Sequence, residues 1–144
     1  MLKIKISSIS LRTQIYEYVE KKYNSKIEYL WLRYPNYAVF RNNETQKWYG
    51  IIMDIPYNKL GIEKSEIVDV LNVKVSDYPL KDFLIHQPGI FNAYHMGKNW
   101  ISVLLDGTIA ISKIFELIDE SYNLVCKPKK TKQQNKTKNI KITK

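Results

Sequence analysis

The sequence predicts an α+β domain, an antiparallel sheet of about five strands packed against helices on one face. Apolar residues recur at helical spacing near both ends of the body. Between them lie β-branched and aromatic runs, which are the composition of strands. Short turn signals cut those runs, and strands joined by short turns must pair antiparallel.

"SLRTQIYEYVEKKY" (10–23) reads as the first helix. Ser10 is placed to cap it, and Leu11, Ile15 and Val19, with Tyr18 and Tyr23 a turn away, supply an apolar stripe. Asn24-Ser25 ends it. Strands are then expected near 27–33, 37–41 and 47–55. Pro35-Asn36 fits the centre of a tight turn, "NNETQ" (42–46) forms a polar hairpin loop, and Pro56 stops the third strand. "YNKLGIEKS" (57–65) is a loop in which Gly61 is free to take positive φ, and 66–75 is the fourth strand. Ser76 or Asp77 caps a short helix to about His86, broken by Pro88-Gly89. Residues 89–98 read as an irregular loop, 99–105 as the fifth strand, and Asp106-Gly107 as a turn. Ile111, Ile114, Phe115, Ile118, Tyr122 and Val125 form one stripe on a last helix, 110–125. The expected order is α-β-β-β-β-α-β-α.

The 144 residues allow one domain, expected over 1–126, with chain enough for a real core. The net charge is +9, but residues 127–144, "KPKKTKQQNKTKNIKITK", hold eight lysines and no acid. The remaining 126 residues carry 15 basic and 14 acidic side chains, so the body is nearly neutral. The tail has few residues able to offset ordering entropy and is expected to be disordered. It reads either as an electrostatic arm for an anionic partner or as a solubilising tail. No stretch approaches the roughly 20 apolar residues of a membrane span, and the start lacks the apolar core of a signal peptide. With one cysteine, Cys126, no internal disulfide forms, and a cytoplasmic protein is expected.

From "YLWLRYPNYAVFR" (29–41) onward the chain resembles a known family. The likeness runs through "KWYGIIMDI" (47–55), "KLGI" (59–62) and "EIVDVLNVK" (66–74). It is strongest at "QPGIFNAYHMGKNWISVLLDG" (87–107) and closes at "DESYNL" (119–124). These segments are similar to the MmcQ/YjbR family of small bacterial proteins. The resemblance implies a CyaY/frataxin-like fold and DNA binding through a double-wing motif. It carries no catalytic residue and no cofactor, and the lysine tail lies outside it.

For a nucleic-acid partner, DNA or RNA, the candidate contacts are Arg33 on the first strand, Arg41 and Lys47 at the base of one hairpin wing, Lys59 and Lys64 on the second loop, and Lys98 before Trp100. In the tail they are Lys127, Lys129, Lys130, Lys132, Lys136 and Lys138. Trp31, Trp48 and Trp100 fit either stacking platforms or ordinary core packing. A protein- or small-ligand-binding module is the alternative, with Phe91, Tyr94, His95 and Trp100 as its loop and the tail incidental.

An enzyme is not expected. No nucleophile–base pair, nucleophile elbow or glycine-rich phosphate loop is present, and His95 fits a structural hydrogen-bonder equally well. Two histidines and one cysteine give no zinc pattern. The first helix carries Glu17 and Glu20 followed by Lys21 and Lys22, a mixed solvated face rather than an iron ridge. No metal and no cofactor are assigned.

Overall fold

The computed structural model describes residues 10–93 and 95–127. Helix α1 (Leu11–Tyr23) starts where Ser10 Oγ accepts a hydrogen bond from Thr13 N at 3.1 Å. It stops at Asn24, whose φ of 56° turns the chain left-handed while its N–H donates to Glu20 O. Strands β1 (Ala38–Arg41), β2 (Trp48–Pro56) and β3 (Ile67–Lys74) follow, with a short 3-10 turn (Tyr57–Leu60) between the last two. Helix α2 (Tyr78–Leu84) is capped by Asp77 and leads to β4 (Ile90–Asn92), β5 (Trp100–Leu104) and helix α3 (Ile111–Leu124). The strands pair in the order β1-β2-β3-β5-β4, antiparallel throughout.

Fold class, strand number and pairing sense are those expected from the sequence, but one strand comes from a different segment. Residues 27–33 do not form a strand; only Glu28 bridges to Val39. The remainder, 29–37, leaves the sheet edge and crosses one sheet face, where Trp31 and Tyr37 pack. Aromatic content marks a segment that covers a pleated apolar surface, and a covering loop satisfies that as well as a strand does. Conversely, Ile90–Asn92 pairs with β5 as an edge strand inside the segment expected to be an irregular loop. Three residues are too few for alternation to stand out from its neighbours.

All three helices lie against one face. Ile15 and Val19 of α1, Leu84 of α2, and Ile114, Leu117 and Ile118 of α3 share a core with Phe40, Ile52, Leu71, Ile101 and Val103. The helices are also tied to each other and to the sheet by charge. Asp119 on α3 accepts from Tyr18 (2.8 Å), Tyr23 (2.6 Å) and Lys22 (3.1 Å) on α1. Partial burial works to raise the Asp119 carboxyl, but the hydrogen bonds from Tyr23, Tyr18 and Lys22 outweigh it and hold it below its ordinary value. Arg12 grips Asp69 on β3 with two hydrogen bonds, at 2.7 and 3.0 Å, and donates a third to Asn36 O at 2.6 Å. That last bond fixes the end of the 29–37 loop, which is also held by Asn36 Nδ2 on Asp54.

Among the described residues no α-helix covers the opposite face. Val39, Ile51, Met53, Ile55, Val68, Val70 and Leu104 form a second core there, roofed by loops rather than helices. A β-bulge sets its composition. Phe40 pairs with Gly50 and Arg41 with Trp48, so Tyr49 is the extra residue. Tyr49 turns into the helical core, while Trp48 shares the open face with Ile51. Gly50 is required beside it, because a Cβ there would lie 2.5 Å from Phe40 Cδ2.

Candidate functional site on the open face

Period-two alternation decides which side chains reach the open face. On β3 these are Val68, Val70, Asn72 and Lys74; on β5 they are Trp100, Ser102 and Leu104. Lys74 is the cross-strand partner of Trp100, with Nζ 5.9 Å from the indole centroid. Asn72 is the partner of Ile51, so Lys74, two residues on, lies beside the bulge that presents Trp48. Trp48 in turn faces Arg41. Arg41, Trp48, Lys74 and Trp100 thus form a row of alternating cations and indoles across β1, β2, β3 and β5. At about 4.8 Å between strands the row spans roughly 14 Å. All four side chains are half-buried. Arg41 is paired with Glu28 at 3.1 Å, whereas Lys74 takes part in none of the ion pairs among the described residues.

Beside the row, the 29–37 loop and the 95–96 turn enclose a pocket of about 280 Å³. Its walls are Trp31, Tyr34, Tyr37, Trp48, His95 and Met96, and its floor is Ile51 and Met53 of β2. The rings hold one another edge to face, Trp31 to Trp48 at 5.9 Å and 88° and Trp31 to Tyr37 at 5.8 Å and 73°. Tyr34 stacks on Tyr37 at 4.7 Å. His95 reaches the pocket through a left-handed backbone (φ 58°) and is exposed to solvent. Beneath the neighbouring sheet surface a polar pair is fully buried. Ser102 Oγ donates to Asn72 Oδ1, and Asn72 Nδ2 contacts Met53 Sδ at 3.3 Å. The turn that carries Lys98 is held from below by Lys81, a side chain in the buried interior, whose Nζ donates to Lys98 O at 2.6 Å.

The residues expected to bind nucleic acid fall in separate places. Arg33 is exposed on the loop over the open face, and Lys47 is exposed at the end of the β1–β2 hairpin. Lys59 and Lys64 lie beyond the other end of β2. Nine residues of strand, at about 3.3 Å each, keep the two expected wings roughly 30 Å apart. The second wing also carries Glu63 and Glu66, and Lys64 Nζ sits 4.3 Å from the Tyr57 ring. The first is pinned down: Thr45 Oγ1 donates to Val125 O, and Asn43 Nδ2 to Asn24 O. Arg41 and Trp100 are brought to one end of the open face, and Lys98 is exposed on the turn before Trp100. Phe91 packs on the second core from β4. Asp106 is the turn residue expected, accepting from Thr108 N and from Tyr57 Oη. Lys127 is exposed at the last described position; Tyr94 and Lys129, Lys130, Lys132, Lys136 and Lys138 lie outside the described residues. Sequence reasoning missed Lys74, Tyr34, Tyr37 and Met96. For Lys74 a signal existed, since counting by twos from Val70 puts it on the same face. For the others none did, because loop placement is not periodic.

No helix among the described residues is long and apolar enough to cross a membrane, and no three His, Cys, Asp or Glu side chains gather there.

The protein YyaQ of Bacillus subtilis (strain 168) is 38% identical over 114 residues, which cover 78% of this chain and 96% of that protein. A crystal structure of a Pseudomonas syringae protein matches with a TM-score of 0.76 at 43% identity, over 80% of this chain and 98% of its own. A solution NMR structure from the same species matches at 0.72 and 43% identity, over 80% and 92%. The YjbR family model matches residues 20–124, from within α1 to the end of α3, and the chain belongs to this MmcQ/YjbR family.

Proposed function

We propose that this protein binds nucleic acid without catalysing a reaction on it. The open sheet face makes the local contacts, and the lysines of 127–144 supply most of the non-specific affinity. The observation that carries the reading is the row Arg41, Trp48, Lys74 and Trp100. Cations at that spacing hold phosphate oxygens, and indoles between them offer flat apolar surface to sugars and bases. Among the described residues no carboxylate pairs with Lys74, so its charge is open to an incoming phosphate. The hairpin wings add orientation at most, given their distance from each other.

The test is fluorescence anisotropy on labelled DNA and RNA at two salt concentrations, with full-length protein and a 1–126 truncation. Full-length binding is expected to fall steeply with salt, by about 0.9 in log-log slope per phosphate neutralised. The truncation is expected to bind more weakly yet measurably, and Lys74→Glu in that body to lower the slope by about 1. A body that binds nothing at low salt would leave the tail as the binder and remove the open face from the account.

A second reading, a small-ligand module, is favoured by the pocket alone. Its 280 Å³ lies just under the roughly 300–1,000 Å³ of drug-sized ligand sites. It predicts saturable binding of a free aromatic compound by a body that ignores nucleic acid.

A further inference from the structure

We infer that the strand bound by this protein is single, and that one unpaired base inserts into the aromatic pocket beside the cation–indole row. The inference rests on the nucleic-acid reading above and names the substrate class for it.

The pocket's dimensions and lining argue for a base. At about 280 Å³ it holds one ring system and not an extended cofactor. Four tryptophan and tyrosine rings, with His95 and Met96, wall it, and its floor is Ile51 and Met53. A base in a duplex is stacked on both sides and unavailable to such a site; an unpaired base exposes its π-face, which aromatic side chains accept whatever its identity. Trp31 meets Trp48 and Tyr37 edge to face, which leaves ring faces of the two indoles uncovered by each other, while Tyr34 stacks on Tyr37. The structure around the pocket is braced before any ligand arrives. Arg12 and Asp54 anchor the loop at Asn36, and the bulge fixes Trp48.

Charge complementarity selects a polyanion over a neutral aromatic compound. Trp48 belongs to both the pocket and the row, so a base in the pocket leaves its own backbone running past Lys74 and Arg41. Lys47 adjoins Trp48 in the chain and Lys98 follows Met96 by two residues, both exposed. The eight lysines of 127–144 add to the positive charge of the chain.

The experiment uses the full-length chain with three probes of equal length: a thymidine 12-mer, the same oligonucleotide with abasic sites, and a blunt duplex. Anisotropy reports affinity and intrinsic tryptophan fluorescence reports stacking. The thymidine strand is expected to quench tryptophan emission and to bind about tenfold or more tighter than the abasic strand. Trp48→Ala and Tyr34→Ala are each expected to narrow that gap. Tyr34 is half-exposed and lies outside both buried cores, so its truncation perturbs the fold less than that of Trp48. Equal affinity for thymidine and abasic strands would overturn the base pocket while leaving backbone binding intact. Tighter binding of the duplex would overturn single-strand selection. Binding of none of the three at low salt would overturn the nucleic-acid reading itself.

Discussion

Gly50 shows how much a single residue decides here. Its missing side chain lets the fully buried Phe40 ring lie on the β2 backbone next to the bulge. A methyl at 2.5 Å from Phe40 Cδ2 forces the ring or the strand to move. Gly50→Ala is therefore expected to destabilise the fold by about 1–3 kcal/mol, read from urea denaturation midpoints at unchanged slope. An unchanged midpoint would mean the bulge absorbs the methyl and does not hold Trp48 in place. Lys74 is the opposite case, a residue whose packing is ordinary and whose charge is not. It sits in a strand of buried aliphatics, yet its ammonium lies over Trp100 and joins none of the ion pairs among the described residues.

At the scale of elements, α1 and α3 are joined by one carboxylate. Asp119 takes hydrogen bonds from two tyrosines and a lysine, all from α1. Its lowered carboxyl affinity for protons has a definite sign in stability. The contribution is fully present above the unfolded carboxylate value of about 3.9 and is lost as pH falls through the lower folded value. Asp119→Ala is expected to cost about 1–2 kcal/mol at neutral pH and to flatten the acid limb of a stability–pH curve. If the variant and the parent lose stability in parallel down to pH 2, Asp119 is not the group that titrates. The open face lacks such a staple. Its roof is loop, tied at Asn36 by Arg12 and Asp54, which leaves room for a pocket where a helix would have filled the space.

At the scale of the whole molecule, charge and fold are carried by different parts of the chain. Residues 10–127 hold 14 basic and 14 acidic side chains, and the +9 of the whole comes from the two ends beyond them. In the proposed function the lysine-rich end contributes affinity. Removing 127–144 is expected to leave the unfolding free energy, read from urea denaturation, within about 0.5 kcal/mol of the parent, the range of surface changes. A larger loss would mean that the lysine segment is part of the folded body.

Several features were readable from the chain alone. Helix α3 was, because six apolar residues at helical spacing permit one face to be buried and no other arrangement buries them together. The Ser10 cap was too, and the second cap was narrowed to Ser76 or Asp77, since a short polar side chain before an apolar run has a backbone N–H to satisfy. The concentration of positive charge in residues 127–144 needed only counting. Tertiary structure alone decided that 29–37 roofs the sheet instead of joining it, and that a bulge at Tyr49 turns Trp48 to the open face. It also brought Arg41, Trp48, Lys74 and Trp100, residues 41 to 100 in the chain, into one row. Local propensity cannot specify such a row, because cross-strand register is fixed by which faces are buried together, and burial is a property of the assembled sheet.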